Sequence, residues 1–347
     1  MKMQHEAVEL DHIDPFTIAY ATHTVTRNGL VKVTHEHDGR MLTGLGECPS
    51  HGYIGAPVER IVEALERLAA LPDLLGDDPF ALEAVEGRLL EAEPDCPPAR
   101  AGVICAVLDI YGQILGRPLW QIWGLNPAQS LPTDLTIGID TTDYMVEKAL
   151  RAKALGYATL KIKLGTDRDT EIFRAIKEAT GLVLRVDANC GWAPDEAVER
   201  CRELEELGVE MIEQPIEPGD PGAMRRVSES VGVDIIADES CLDSRDAAAL
   251  AGVVDGVNIK LAKCGGPLEA LRIIHVARAH GMKVMFGCNS ESSIGITACA
   301  HLASLGDYID LDGNLMVKED PYRGVVSDGG RLILPDAPGL GVTPAAE

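Results

Sequence analysis

LVLRVDAN (residues 182–189), VEMIEQP (209–215) and VDIIADES (233–240) are short apolar runs, and each carries an acidic residue near its carboxyl end: Asp187, Glu213 and Asp238. These acids stand 26 and 25 residues apart, about the length of one strand, one helix and two loops. Successive carboxylates are therefore expected at the ends of neighbouring parallel strands. KIKLG ends a similar run with Lys161 and Lys163, the latter 24 residues before Asp187, and GVNIKLAK places Lys260 22 residues after Asp238. Worked outward at this period, the strand candidates are TDLTIGID, ATLKIKLG, LVLRVDA, VEMIEQ, VDIIADE, GVNIK, KVMFG and YIDLD, eight in all.

Between them lie stretches with helical spacing, among them DYMVEKALRAKALG, APDEAVERCRELEELG and GGPLEALRIIHVARAHG. Each closes on a glycine, as helices commonly do before a new strand begins. Strands alternating with helices predict an α/β barrel whose functional groups sit at the carboxyl ends of the strands. The acids and lysines fall there. Charges ending otherwise apolar strands must be paired, hydrated or metal-bound. Three carboxylates facing one point suit a hard divalent cation, and one Mg2+ held by Asp187, Glu213 and Asp238 is expected.

The 347 residues leave room for a barrel of roughly 200 to 250 residues and a smaller domain. No apolar run approaches the roughly 20 residues of a membrane span, and MKMQHEAVELDHIDP lacks the apolar stretch of a signal peptide. A soluble, cytoplasmic protein is expected, with no membrane partner. A net charge of −24 without a basic cluster works against nucleic-acid binding. The nine cysteines form no CxxC pair and read as reduced packing residues.

Residues 1–125 follow a different pattern. AVELDHIDPF and the hairpin NGLVKVTHEHDGRMLTGLGE, turning at Asp38 and Gly39, predict a small antiparallel sheet. APVERIVEALERLAAL, DPFALEAVEGRLLEAE and PPARAGVICAVLDIYGQILG predict helices behind it. The expected organisation is an N-terminal α+β domain (1–125), the barrel (126–315) and a C-terminal segment (316–347) of turns and short strands packing back on the first domain.

The order KxK, DAN, EQP, ADES, NIKxxKxGG and a late DxD (Asp310 and Asp312 in YIDLDGN) resembles the enolase superfamily, in its muconate-lactonising branch, over almost the whole chain. Within that branch the chain is most similar to the dipeptide epimerases, the group that includes the L-Ala-D/L-Glu epimerases. The resemblance implies a TIM barrel of modified (β/α)7β type capped by the α+β domain. It also implies an isomerase that inverts the alpha carbon of a dipeptide's C-terminal residue by 1,1-proton transfer.

The residues suit that chemistry. A cation at the three carboxylates can bind a substrate carboxylate and stabilise an enediolate. Lys163 and Lys260, on strands two and six of eight, can flank the alpha carbon, one removing a proton and the other returning one. Lys161 shares a strand face with Lys163 and is expected to assist the carboxylate and tune its neighbour. Asn189, Glu239 and Lys263 are expected behind the metal ligands, with helix capping for Asn189 and a solvated loop position for Lys263 as the alternatives.

The resemblance further implies that Asp310 and Asp312 bind the dipeptide's free ammonium. It implies too that a loop of the first domain, PFTIAYATHTVTRNG, closes over the barrel mouth. Epimerases acting on Ala-Glu tend to carry an arginine there, whereas this chain presents Tyr20, Ala21 and His23, with Arg27 further along. Tyr20, His23 and Tyr53 are candidate substrate contacts. So are Cys288, Asn289 and Glu291 of GCNSESS, with Glu291 a possible partner for a cationic side chain. The alternatives are o-succinylbenzoate synthase, N-acylamino acid racemase or muconate cycloisomerase chemistry, a Schiff-base aldolase, or a non-catalytic binding protein. A homo-oligomer is compatible with the sequence.

Overall fold

The computed structural model describes residues 1–345. β1 (Lys2–Ile18), β2 (Ala21–His37) and β3 (Arg40–Cys48) form an antiparallel meander. Asp38 (φ 50°) and Gly39 (φ 73°) turn β2 into β3, the left-handed pair that suits a two-residue hairpin. The expected mouth loop, residues 15–29, is instead strand on either side of a turn at Ala19 and Tyr20. Phe16 pairs with His23, Thr17 with Thr22 and Ile18 with Ala21, after a register shift between Asp11 and Phe16. Threonine- and valine-rich sequence favours extended backbone, so the cap reaches the mouth as the tip of a long hairpin.

Three helices back this sheet. α1 (Val58–Ala70) buries Ile61, Ala64, Leu65 and Leu68, spaced as one helical face requires. α2 (Leu82–Ala92) follows, then α3 (Pro97–Leu115) and the single turn α4 (Leu119–Ile122). α3 does have the length and hydropathy of a membrane span, contrary to the reading of its sequence, but 72% of that window is buried inside the protein. Its apolar character is that of a core helix. A Cβ on Gly44 or Gly46 of β3 would stand 1.9 Å from the carbonyl oxygen of Ala106 or Gly102 in α3, so glycine at these positions lets strand and helix backbones touch.

The barrel alternates strand and helix as its period predicts: β4 (Leu135–Ile137), α5 (Thr142–Ala154), β5 (Thr159–Lys163), α6 (Asp169–Thr180), β6 (Val183–Asp187), α7 (Pro194–Glu206), β7 (Met211–Glu213) and α8 (Pro221–Ser228). It continues with β8 (Asp234–Ala237), α9 (Ser244–Ala249), β9 (Gly256–Ile259), α10 (Leu261–Cys264), α11 (Pro267–Ala279), β10 (Lys283–Phe286), α12 (Ser293–Ala300) and β11 (Tyr308–Ile309). β4 to β11 pair in sequence as one eight-stranded parallel sheet. Asp134 N donates to Ile309 O at 3.1 Å, joining the first strand to the last. A 3-10 turn (Gly313–Met316) follows β11 where an eighth helix would stand, giving a (β/α)7β barrel.

The tail holds the short strands β12 (Tyr322–Arg323), β13 (Val326–Asp328), β14 (Arg331–Ile333) and β15 (Thr343–Pro344). It touches both other parts. Lys318 N donates to Asp11 O of the cap at 2.8 Å, and Thr133 N, just before β4, donates to Gly330 O at 2.8 Å.

Candidate active site

Strand register assembles the site. Lys163 pairs with Asp187, Asp187 with Glu213, and Glu213 with Ile236, two residues before Asp238. Residues two apart on a strand share a face, so these four side chains converge at the carboxyl end of the barrel. Lys161, two before Lys163, lies deeper on the same face.

The carboxylates are fully buried, and lysines answer them. Lys163 Nζ lies 2.6 Å from Asp187 Oδ2, and Lys161 Nζ lies 3.1 Å from the same oxygen and 2.7 Å from Glu213 Oε2. Lys260 and Lys263 hold the two oxygens of Asp238 at 2.7 and 2.6 Å. Burial alone would raise Asp187, but Lys163 and Lys161 hold it down at about 2. Burial and then Asp187 push Glu213 up to about 7. Asp238 sits well below the usual range because Lys260 and Lys263 outweigh its burial. The burial of Lys161 is outweighed by Asp310, Glu213 and Asp187, which keep it firmly protonated.

Several oxygens here lack a donor. Glu213 Oε2, Glu239 Oε2 and Asn189 Oδ1 are buried without a hydrogen-bond partner, Glu213 Oε2 because Lys161 approaches it off the hydrogen-bonding direction. Under-satisfied buried acceptors beside three carboxylates form an all-oxygen donor set suited to a hard divalent cation. The backbone nearby is also unusual: Asn189 (φ 42°), Cys190 (φ 62°) and Gln214 (φ 35°) are left-handed immediately after Asp187 and Glu213. Gln214, which sequence reading did not single out, accepts from Asp238 N at 2.9 Å and Ser240 N at 3.2 Å. It thereby ties the end of β7 to the end of β8.

Above this floor opens a cavity of about 690 Å³. Lys163 and Lys260 reach it, as do Asp310, Asp312, Cys288, Asn289, Tyr20, His23 and Tyr53. Lys161, Asn189, Glu239 and Lys263 lie behind its wall. Lys263 is 2% exposed and donates to Asp238 O and Asn258 O, so the solvated alternative does not hold. Asn189 donates to Glu239 Oε1 at 3.3 Å, and Ala193, not Asn189, is the N-cap of α7.

Asp310 and Asp312 stand on the wall opposite β7 and β8. Asp310 is bound by Lys161 Nζ at 2.6 Å and Thr136 Oγ1 at 3.1 Å, and Asp312 accepts from Thr136 N at 2.6 Å. Burial and then Asp310 raise Asp312 to about 7. With Cys288 they bring ligand atoms within 4.8 Å of one another. That thiol is pushed far up by burial and Asp310, so it stays protonated and the group suits an ammonium better than a metal.

Glu291 is a correction. It is buried away from the cavity, where burial and then Glu47 raise it to about 8, so at neutral pH it carries little charge with which to hold a cation. Glu47 accepts from Ser292 N, Ser292 Oγ and Gly295 N at the start of α12, and from Asn28 Nδ2. This bridge between cap and barrel was not anticipated, although an acid ending the apolar run of GLGE was a signal for it. His51 and Glu217 also line the cavity and were missed, because both lie in loops without a period.

Residues 3–124 match the mandelate racemase / muconate lactonizing enzyme, N-terminal domain, and residues 144–347 match the enolase C-terminal domain-like family. The L-Ala-D/L-Glu epimerase of Bacteroides thetaiotaomicron is 38% identical over 343 residues, covering 99% of this chain and 88% of the relative. The dipeptide epimerase of Enterococcus faecalis V583, solved with Mg and L-Leu-L-Tyr, superposes with a TM-score of 0.91 at 34% identity over 99% of both chains. That of Methylococcus capsulatus, solved with Mg and L-Arg-D-Lys, gives a TM-score of 0.91 at 35% identity over 99% of both chains.

Proposed function

Because the chain belongs to the mandelate racemase/muconate lactonizing enzyme family of the enolase superfamily, we propose that it is a Mg2+-dependent dipeptide epimerase that inverts the alpha carbon of the substrate's second residue. The observation that carries this reading is the placement of Lys163 and Lys260. They end β5 and lie just beyond β9, four strands apart in an eight-stranded barrel, and both reach one cavity above the three buried carboxylates. Asp187, Glu213 and Asp238 would hold the cation, whose bound charge offsets the negative charge that develops on the substrate carboxylate as the alpha proton leaves.

The chain's own groups do the rest. A carbon held between two amines on opposite walls can lose its proton to one and gain a proton from the other, which inverts it. Lys163 and Lys161 share Asp187 Oδ2, so Lys161 places a fixed positive charge beside Lys163. Asp310 and Asp312 would take the dipeptide's free ammonium and so set which carbon lies between the lysines. An acidic pair on that wall gives no advantage to the anionic substrate of a synthase or cycloisomerase. The cap (1–125) would supply the roof, the barrel (126–315) the chemistry, and the tail (316–347) would tie the two together. The strong acidity fits a cytoplasmic enzyme that engages small molecules rather than nucleic acid or membrane.

The test is α-proton exchange. Purified protein with Mg2+ in D2O, incubated with L,L-dipeptides, is expected to add one mass unit to its substrates, and EDTA is expected to stop this. Full exchange after exhaustive chelation would point instead to metal-free amine chemistry at the lysines.

A further inference from the structure

We propose, resting on the epimerase reading above, that the second residue of the substrate dipeptide carries a cationic side chain, of lysine or arginine type, and that Glu217 selects it. With the ammonium at Asp310 and Asp312 and the alpha carbon between Lys163 and Lys260, the second side chain is turned towards the wall on the Lys260 side. Tyr20, His51, Tyr53 and Glu217 form it.

The charges on this part of the cavity count against the opposite choice. Arg27 is already engaged by Glu59 at 2.6 Å and Glu9 at 3.4 Å. Lys163 and Lys260 are committed to the floor. No free cation is left for an acidic side chain among the described lining residues. Glu217, which follows β7, is an exposed residue lining the mouth, and an apolar side chain laid over it would strip water from its carboxylate without supplying a partner.

Two further features point the same way. Tyr20 and Tyr53 expose rings over the cavity, the surface that attracts a cation. The surroundings of Tyr53 are electronegative: burial, Cys190, Glu217 and Glu239 raise its phenol to about 12. His51 is 8% exposed, and its Nε2 is buried without a partner. Burial lowers the pKa of this imidazole to about 3, so it stays neutral and adds no competing positive charge to the wall. The cavity volume of about 690 Å³ accommodates a long side chain.

The experiment measures kcat/KM for α-proton exchange in D2O, with Mg2+, on L-Ala-L-X, where X is arginine, citrulline, lysine, leucine or glutamate. Citrulline keeps the shape of arginine without its charge. The wild type is expected to prefer arginine over citrulline by roughly fivefold or more, as a partly exposed charge pair supplies, with glutamate poorest. Glu217→Gln is expected to collapse the arginine/citrulline ratio towards one, and Glu217→Lys to raise glutamate above lysine. Citrulline or leucine matching arginine in the wild type, or an unchanged ratio in Glu217→Gln, would overturn the inference and leave the epimerase standing. Exchange with no dipeptide at all would remove the epimerase reading and this inference with it.

Discussion

The floor and the roof of the cavity are built on opposite plans. On the floor, Asp187, Glu213 and Asp238 are fully buried, and lysines stand within 2.7 Å of all three. On the roof, Tyr20 is 54% exposed, and Glu217, at the rim, is exposed as well. Buried charges are tolerated only when their partners are in place, so the floor permits little variation. Exposed side chains at a strand tip carry no such constraint, so the roof can change to suit the substrate while the chemistry beneath stays the same.

The sharpest way to break this comparison is to remove one lysine at a time. Lys163→Ala and Lys260→Ala are each expected to lower epimerisation by roughly 10³-fold or more. If the two amines serve opposite faces, each variant still exchanges the alpha proton of one epimer, followed by NMR in D2O from L,L and L,D substrates separately. Two variants that treat both epimers alike would refute the division of the floor.

Asp310→Asn tests the wall between floor and roof. Removing one charge of a buried pair is expected to lower kcat/KM for dipeptides by about 10²-fold, while far-ultraviolet circular dichroism stays that of the wild type. Retained activity would return the site to a non-peptide acid.

Stability should depend on groups away from the mouth. His301 of the barrel side accepts from Trp120 N at 3.3 Å through Nδ1, and its Nε2 lies 3.1 Å from Leu340 O. Burial lowers its pKa to about 4. A depressed histidine contributes stability that is fully present above its ordinary pKa of 6.5 and is lost as pH falls towards 4. Urea unfolding is expected to show about 3 kcal/mol of loss across that window, with a flatter profile in His301→Gln. The smallest effect belongs to the roof: His23→Ala should change unfolding stability by less than about 0.5 kcal/mol while shifting relative rates among dipeptides.

The βα period was legible because several successive strands end in, or run directly into, a residue type that an apolar barrel does not otherwise bury. Asp187, Glu213 and Asp238 therefore located three strands as well as a cluster of charge. Glu291 was misplaced because the loop after β10 has no period to say which way its side chain turns, and it folds back to accept from Asn289 N at 2.9 Å. Lys263 kept a solvated alternative because it lies off the strand parity of Lys260, and the turn α10 swings it back onto Asp238.

The sequence by itself determined the barrel, the order of its strands and the convergence of acids and lysines at one end, because side-chain alternation and a regular repeat are local properties that pairing merely propagates. Only the tertiary structure decided that residues 15–29 are a strand tip and that α3 is a core helix, and only it brought His51 and Glu217 together with Tyr20 and Tyr53. Those outcomes depend on which distant surfaces meet, and contact between segments a hundred or more residues apart leaves no mark in the periodicity of any one of them.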